Sequence, residues 1–582
     1  MPGQTLCAVV APDFRLRVKL RRTAEALAEA VSPAAAGATE VARYVGCLGR
    51  DRNPERGTRH PEPSAQHPDR IHVFRLVLRS FIYYWRTNLA VVAGVATSVS
   101  VLAGALAVGE SVRGSLRDLV LARLGRTELV VSAPIFFRDA LAPALAEATG
   151  RPTSPLIAVE GVVTHEPSGR RAARVLVYGV DERFWQFHGR GAPAALDGRS
   201  VVASEAVIRD LAAAPGDALL LRVERPSSVP LESLHGRKEN VGRTIRLSLA
   251  ATQDAANLGE FSLRPQQGDV RAVFVALERL QRDLDRPGRV NTILVGASES
   301  AMAEPDSVDA LEAGLRTRVG LDDLGVTLRS VGPPGFRAMA LESEGGLLEA
   351  PLAEAGLAAA RAMGVDAAPV FTYLVNAIRA GDREIPYSLV TAIDLGRITA
   401  AGSPASSGDQ PPIVLNEWAA RDLGIGTADT RSVEIEYYRW LSEGRLVTER
   451  ATFRLAGIVP MTGLAADRDL APRYPGISDT DSLAEWDPPF LLDLRRVRPI
   501  DEDYWDRHRA TPKAFVPLEV GQRLWESRWG RLTSLRVPLL FGRPEDAAIA
   551  EYGDRLLSLI DPGGRGVTVF PARALALAAS RG

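Results

Sequence analysis

The side chains best suited to chemistry in this 582-residue chain are carboxylates gathered in one acidic stretch of its second half. Carboxylate oxygens are the ligands that Ca²⁺ and Mg²⁺ prefer in proteins. The spacing does not fit an EF-hand loop, which requires Gly at its sixth position and Glu at its twelfth. A solvated acidic loop is therefore the favoured interpretation, and a divalent-cation site is the alternative. The candidate ligands are Asp467, Asp469, Asp479, Asp481, Asp487 and Asp501.

Aromatic residues accompany these carboxylates. Half of the eight tryptophans fall in the same stretch or just beyond it. Tryptophans dominate the energetics of protein interfaces, but they also fill cores. The stretch is thus predicted to be either a contact surface or part of a core. The four residues are Trp486, Trp505, Trp525 and Trp529.

The motifs of common enzymes are missing from the sequence. It contains no GxxxxGK[ST] phosphate loop, no HExxH and no GxSxG, and its seven histidines are scattered. The only cysteines are Cys7 and Cys47, so the rest of the chain can form neither a disulfide nor a thiolate metal site. A repeated ExxxRDL pattern, in Glu205–Leu211 and Glu417–Leu423, places Glu and Arg four residues apart, as in a helix-stabilising ion pair. We therefore predict no catalytic residues, no cofactor and no metal.

The element that organises the chain is an uncharged stretch, Thr87–Gly109, between Arg86 and Glu110. At about 1.5 Å per residue, a helix over this stretch would extend roughly 34 Å, enough to cross a hydrocarbon core of about 30 Å. A core helix of a large soluble protein is the alternative, but such helices are usually shorter and amphipathic. We predict a transmembrane helix over residues 87–109.

The flanks of this stretch support a membrane location. Residues 71–86 combine apolar side chains at helical spacing with arginines and end in Tyr-Tyr-Trp, which is typical of a helix in the membrane interface. The first amphipathic helix of a globular domain is the alternative.

Residues 110–126 continue the helical pattern and stop at Gly125, which predicts a stalk. Within the span, Ala90, Gly94 and Ser98 form a face of small residues on which another helix could pack closely.

The composition of the chain limits the classes of protein to which it can belong. The chain is 46% hydrophobic and 24% charged, which is typical of globular proteins, and it is too long for one ordinary domain. A net charge of −1, without clusters of basic and aromatic residues, argues against a nucleic-acid partner. Residues 1–70 have no apolar periodicity and are predicted to be a disordered tail. We hypothesise that the start is assigned upstream of the natural one, which would lie near Ile71. The basic residues on the two sides of the span are balanced, so the positive-inside rule gives no orientation.

An internal duplication follows the stalk. The stretch EAVIRDL recurs as EWAARDL at an offset of 212 residues, whereas AVFVALERLQ and GVTL recur as KAFVPLEVGQ and GVTV at an offset of 241. The difference predicts an insertion of about 29 residues in the second copy, within 458–512. We predict an α+β fold with one transmembrane helix, a helical stalk and two similar extracytoplasmic lobes. The lobes are assigned to residues 127–345 and 373–582, with a linker over 346–372.

The stretch YYWRTNLAVVAGVATSVSVLAGALAVGESVRGSLRDLVLARLGRTELVVS resembles the first membrane helix, stalk and first strand of the FtsX-like, MacB-type ABC transporter permeases. The stretches SVVASEAVIRDLAAAPGD, AVFVALERLQ and GRVNTILV are similar to the periplasmic core domain of that family. The resemblance implies a bacterial plasma (inner) membrane protein with a cytoplasmic N-terminus and a periplasmic or extracellular domain. It also implies a separate ABC ATP-binding subunit, a permease homodimer or heterodimer, and movement of lipids, lipoproteins, peptides or drugs. Residues 110–124 would be the lever.

The sequence departs from that family in one respect. Family permeases continue into further membrane helices, whereas this chain ends at RALALAASRG, where such a helix would be approached. The expectation is therefore the N-terminal portion of a permease, truncated or split, ending before a further transmembrane helix. The alternative from another class is a single-span, membrane-anchored extracytoplasmic binding or scaffold protein without transport activity.

Overall fold

The computed structural model describes residues 70–193, 196–224, 242–266, 268–297, 308–333, 337–399 and 409–580, apart from 428, 430, 442, 444, 475, 487, 489, 491 and 540–543. The predicted tail up to residue 69, both cysteines and Asp487 lie outside the described residues. The chain divides into a unit that ends at Val101 and a second unit, Leu102–Gly582.

Two helices begin the described chain. Helix α1 spans Arg70–Tyr83, and α2 spans Trp85–Leu124 as 40 residues without a break. The predicted span and the predicted stalk are thus one helix. In the described part of the chain it is the one helix long and apolar enough to cross a membrane, with a mean hydropathy of 2.2 and none of its most apolar window buried. The hydroxyls of Thr97 and Ser98 donate to carbonyls four residues earlier, so neither would be left unsatisfied in a bilayer.

The first copy of the duplication contains nine strands and five helices in its described residues. They are β1 (Leu129–Arg138), α3 (Leu141–Thr149), β2 (Thr153–His165), β3 (Arg171–Val180), α4 (Glu182–Phe187), β4 (Ser200–Ser204), α5 (Glu205–Leu211), β5 (Ala218–Glu224), β6 (Gly242–Gln253), β7 (Ala272–Ala276), α6 (Leu277–Asp283), β8 (Arg289–Val295), α7 (Val308–Arg318) and β9 (Val326–Val331).

The second copy has the same number of strands, but a 3₁₀ turn, Leu395–Arg397, follows its third strand instead of a helix, and it has additional helices in the insertion and after its last strand. Its strands and helices are β10 (Ala338–Ser343), α8 (Ala350–Ala362), β11 (Ala368–Ala380), β12 (Arg383–Ile393), β13 (Pro412–Asn416), α9 (Glu417–Leu423), β14 (Ser432–Trp440), β15 (Leu446–Val459), α10 (Pro499–His508), β16 (Ala514–Pro517), α11 (Leu518–Trp525), β17 (Ser534–Pro538), α12 (Glu545–Leu559), β18 (Thr568–Phe570) and α13 (Ala572–Ala579).

The strands form two nine-stranded sheets with the same order. The first is β18-β1-β8-β2-β3-β7-β4-β6-β5, and the second is β9-β10-β17-β11-β12-β16-β13-β15-β14. Additional pairings, β2 with β5 and β11 with β14, close the last six strands of each order into a barrel. The other three strands extend from the barrel as an open sheet. The mixed α and β architecture and the matching strand orders agree with the predicted two-lobed α+β fold and its internal duplication.

The two sheets exchange their terminal strands. Strand β9 lies at the end of the first copy, yet it pairs along its length with β10 of the second copy. Strand β18 ends the second copy, yet it pairs with β1 of the first. These are the two GVT segments of the duplication, so each copy completes the sheet of the other. The structure therefore differs from two lobes that follow each other along the chain and separate near residue 345.

The segment 346–372, predicted as a linker, is also structured differently. It contains α8 and the first residues of β11. The alanine-rich sequence of α8 buries Leu352, Ala359 and Ala360 in the core, beside Leu535 and Tyr552. Small side chains allow the helix to pack closely against the sheet, which a composition-based interpretation as a linker does not consider.

The insertion of the second copy lies between β15 and β16. It consists of short 3₁₀ turns and α10. Trp486, Trp505 and Trp525 are each less than a tenth exposed and belong to the core of the second barrel. Of the two predicted roles for the tryptophans, the structure supports core packing.

Candidate functional site

The last turn of α2 is built into the first sheet through Arg123. Its Nε and Nη2 atoms donate to Oε2 of Glu260 at 2.8 and 2.5 Å. Nη1 donates to the backbone oxygen of Gln266 at 2.6 Å, and Nη2 also donates to that of Gly268 at 2.9 Å. Arg123 is only 6% exposed. A planar guanidinium with this many partners fixes both the position and the rotation of the helix end.

Apolar contacts and a second ion pair complete this stalk junction. Leu124 packs in a buried cluster with Phe184, Phe261 and Ala576 of the last helix, α13. Just after the stalk, Glu128 accepts a hydrogen bond from Nη1 of Arg573 at 2.6 Å, and its backbone oxygen accepts from the Arg573 N–H at 3.2 Å. The first and last segments of the domain are therefore joined at one place, next to the end of α2.

Gly125 ends α2 in a left-handed conformation, with φ of 57°. A Cβ at this position would lie 2.5 Å from Nδ1 of His188, so the close approach also requires glycine. The same Nδ1 accepts a hydrogen bond from the backbone N–H of Arg126 at 3.2 Å. Burial lowers the pKa of His188 to about 3, with further lowering by the positive charges of Arg126 and Arg190. His188 is therefore neutral in the folded protein at physiological pH.

We expect the stability of the domain to fall in mild acid because of His188. Its folded pKa lies below the unfolded value of about 6.5, so the unfolded state binds the proton first as the pH falls. Between about pH 7.5 and pH 5, this group alone should cost roughly 2 kcal/mol of unfolding free energy. His188→Gln keeps an acceptor for Arg126 but does not titrate. Urea denaturation at both pH values should show a smaller loss in the variant, and an unchanged loss would contradict the assignment.

A cleft of about 940 Å³ opens beside the stalk junction. One wall is the face of the first sheet, including Tyr178 and Phe570. The other wall is the connection between β6 and β7, whose Gln266 and Gly268 carbonyls bind Arg123. Arg174 is exposed and lines the cleft, and among the described residues no carboxylate forms an ion pair with it. The cleft and the end of α2 thus share one connecting segment.

The acidic stretch predicted as a possible cation site is used differently. Its described carboxylates contact separate partners: Asp467 binds Arg536, Asp469 binds Arg329, Asp479 accepts from the backbone of Gly476, Asp481 binds Arg509, and Asp501 binds Arg498. In the described part of the chain, no three His, Cys, Asp or Glu side chains are grouped as metal ligands. Asp467 and Asp501 are buried, whereas Asp479 and Asp481 are exposed, so the interpretation as a solvated loop applies to only part of the stretch. Burial raises the pKa of Asp467.

The ExxxRDL residues also make contacts other than those predicted. Arg209 binds Asp269 at 2.8 Å instead of Glu205, and Asp210 binds Arg271 at 2.5 Å. In the second copy, Glu417 accepts from the backbone N–H of Met461 at 3.1 Å. The i,i+4 ion pair was therefore a wrong prediction, because neighbouring strands and loops offer these side chains partners that local spacing cannot reveal.

Sequence reasoning did not find the stalk junction or the cleft. Arg123 stands in the last turn before Gly125, which was visible as a helix stop, but Glu260 is 137 residues away. The unusual backbone of Arg174, with φ of 54°, has no signal in the sequence at all.

Comparisons with known proteins add a likeness to transporter domains. No family model and no curated protein matches the chain. The periplasmic region of MacB from Actinobacillus actinomycetemcomitans is 11% identical, with a TM-score of 0.23, over 34% of this chain and 86% of that one. The extracellular domain of the noncanonic ABC-type transporter YknZ from Gram-positive bacteria is 9% identical, with a TM-score of 0.22, over 33% and 91%.

A domain assigned to a permease protein of Porphyromonas gingivalis is 14% identical, with a TM-score of 0.21, over 33% of this chain and 84% of that one. The first of the three structures belongs to MacB itself, and the sequence resembles the MacB-type permeases. The fold itself is defined by the strand orders of the two sheets.

Proposed function

We propose that the described chain is the first membrane helix and the extracytoplasmic domain of an ABC transporter permease. The observation that carries this proposal is the continuity of α2, from its uncharged stretch to Arg123 inside the folded domain. ATP would be hydrolysed by a separate cytoplasmic ATP-binding subunit. The permease would act as a homodimer or heterodimer and move lipids, lipoproteins, peptides or drugs on the outer side of the bacterial plasma membrane, with its N-terminus in the cytoplasm.

The physical basis is the stiffness of the connection. An α-helix without an internal break transmits a shift along its axis, because every backbone hydrogen bond would have to distort to absorb it. At the domain end, the four hydrogen bonds of Arg123 and the burial of Leu124 oppose rotation of the helix against the sheet. A flexible tether would need none of these contacts. The junction is suited to passing motion of the helix to the segment 260–268.

Contacts with other membrane helices are expected on the small-residue face of α2. Ala90, Gly94 and Ser98 recur every four residues, and each is exposed in the chain by itself. Small residues allow two helix backbones to approach closely in a bilayer, where packing drives association. The opposite face carries Val92 and Ala96, roughly 160° to 200° from Gly94 at about 100° per residue.

The test is isolation of the tagged chain from native membranes, together with cysteine crosslinking. A permease should co-purify with a protein that contains a GxxxxGK[ST] phosphate loop. Gly94→Cys and Ser98→Cys should crosslink to other membrane helices of the complex, whereas the matched variants Val92→Cys and Ala96→Cys should crosslink far less. A chain recovered without an ATP-binding partner, and with no crosslinks from either face, would instead be a membrane-anchored binding or scaffold protein.

A further inference from the structure

The two sheets differ on one face, which is covered in the second copy and open in the first. In the second copy, the insertion lies on this face. The hydroxyl of Thr372 on β11 donates to the backbone oxygen of Leu470 at 2.8 Å. The hydroxyl of Tyr474 donates to the backbone oxygen of Thr372, also at 2.8 Å. The insertion is therefore held by backbone as well as side-chain contacts, as a bound peptide would be.

The equivalent face of the first copy is the 940 Å³ cleft. Strand pairing gives the equivalence: Ala158 lies opposite Tyr178 across β2 and β3, as Thr372 lies opposite Thr391 across β11 and β12. Ala158 and Tyr178 both line the cleft. The connection that could cover them runs only from 254 to 271, whereas its counterpart runs from 460 to 513. The first copy thus has the same surface without the segment that fills it.

A strained residue stands at the same place in both copies. Arg174 on β3 has φ of 54°, and Tyr387, its counterpart on β12, has φ of 39°. Such backbone conformations are costly for residues other than glycine and persist where contacts or function need them. In the second copy the contacts are evident: the Tyr387 hydroxyl accepts from the N–H of Asp493 at 2.7 Å, and Arg496 lies over its ring at 5.4 Å. In the first copy, Arg174 lines the cleft.

The residues that line the cleft, together with the insertion of the second copy, indicate which kind of ligand would fit. Leu176, Tyr178 and Phe570 provide an apolar surface. The charged residues of the cleft are Glu160, Arg174, Arg264, Asp269 and Arg271. Glu160 pairs with Arg264, Asp269 with Arg209 and Arg271 with Asp210, so Arg174 is the charge of the cleft that no described carboxylate balances. The insertion contributes the apolar side chain of Leu470 to this face of the second copy, and the charge that a ligand of the first copy must balance is that of Arg174. An extended segment with carboxylates and apolar side chains would match both the shape and the charge of the cleft.

We infer that the cleft of the first copy is a binding site for an extended, acidic and apolar peptide segment of a partner protein. The peptide takes the place that the insertion occupies in the second copy, with a carboxylate against Arg174 and apolar side chains against Tyr178 and Phe570. Binding is independent of transport, so it can be measured whether or not the chain belongs to a permease.

The experiment is selection of displayed random peptides of about 12 residues on the full-length chain in lipid nanodiscs. Enriched peptides should combine Asp or Glu with Leu, Phe or Tyr. Fluorescence anisotropy with the labelled peptides should show binding weakened about tenfold or more by Arg174→Glu, because attraction is replaced by repulsion. The matched control is Arg170→Glu, an exposed arginine of the turn between β2 and β3, which should change the affinity by less than about twofold.

A second variant separates loss of binding from loss of folding. Arg174→Gly tolerates the positive φ, so its melting temperature should equal or exceed that of the unmodified chain while its peptide affinity falls. Enrichment of peptides without carboxylates, absence of enrichment, or affinity that does not respond to Arg174→Glu would overturn the inference. If dodecyl phosphate binds with the same dependence on Arg174 while no peptide is enriched, the ligand is an anionic amphiphile and the peptide assignment is wrong.

Discussion

Replacing Glu260 by Gln is expected to lower the unfolding free energy of the domain by about 3 to 5 kcal/mol, because Arg123 would remain buried without its counter-charge. The Arg123 side chain is 7% exposed, the Glu260 side chain is 24% exposed and their bond is 2.5 Å long, so the guanidinium would stay largely shielded from water after loss of the carboxylate. Urea denaturation followed by tryptophan fluorescence would measure the loss. In a transporter, the same variant should also uncouple movement of the stalk from the segment 260–268.

A matched ion pair on the same helix provides the control. Arg113 and Glu110 approach to 3.9 Å, but their side chains are 65% and 80% exposed. Such pairs contribute little, so Arg113→Met should change the unfolding free energy by less than about 0.5 kcal/mol. If Glu260→Gln and Arg113→Met have equally small effects, Arg123 does not anchor the stalk, and the proposed transmission through this junction loses its basis.

Replacing Arg329 by Met is expected to destabilise the second sheet by about 3 kcal/mol, although Arg329 belongs by sequence to the first copy. Arg329 lies on the exchanged strand β9 and is 15% exposed. It binds both oxygens of Glu342 at 2.9 and 2.8 Å and reaches Asp469 of the insertion at 3.1 Å. Hydrogen exchange should accelerate in β10 and in residues 463–470, because both lose their bond to β9.

The location of the faster exchange is the decisive readout for the strand exchange. Arg337→Met is the control, since its pair with Glu545 at 3.0 Å is half exposed on the arginine side and should contribute little. Faster exchange in β1 and β8 after Arg329→Met, with β10 unaffected, would mean that β9 completes its own copy and that the exchange of strands is absent in solution.

The sequence alone determined the features that depend on neighbouring residues. An uncharged, apolar stretch long enough to cross a bilayer predicts a long helix regardless of its partners, and Gly125 predicts where it ends; both agree with α2. The repeated segments predicted two similar α and β units, and the two sheets have the same strand order. The insertion was visible because the offset between the copies changes.

Tertiary structure alone decided which parts meet. The two GVT segments are nearly identical, so nothing local specifies that each completes the sheet of the other copy; pairing across the whole chain does. Arg123 finds Glu260 because folding brings residues 137 positions apart together. The equivalent face of the two sheets is buried under the long insertion in the second copy, whereas it lines a cleft in the first copy, where the connection is short. Local pattern sets the elements, whereas the partners of charged and apolar side chains are set by chain topology.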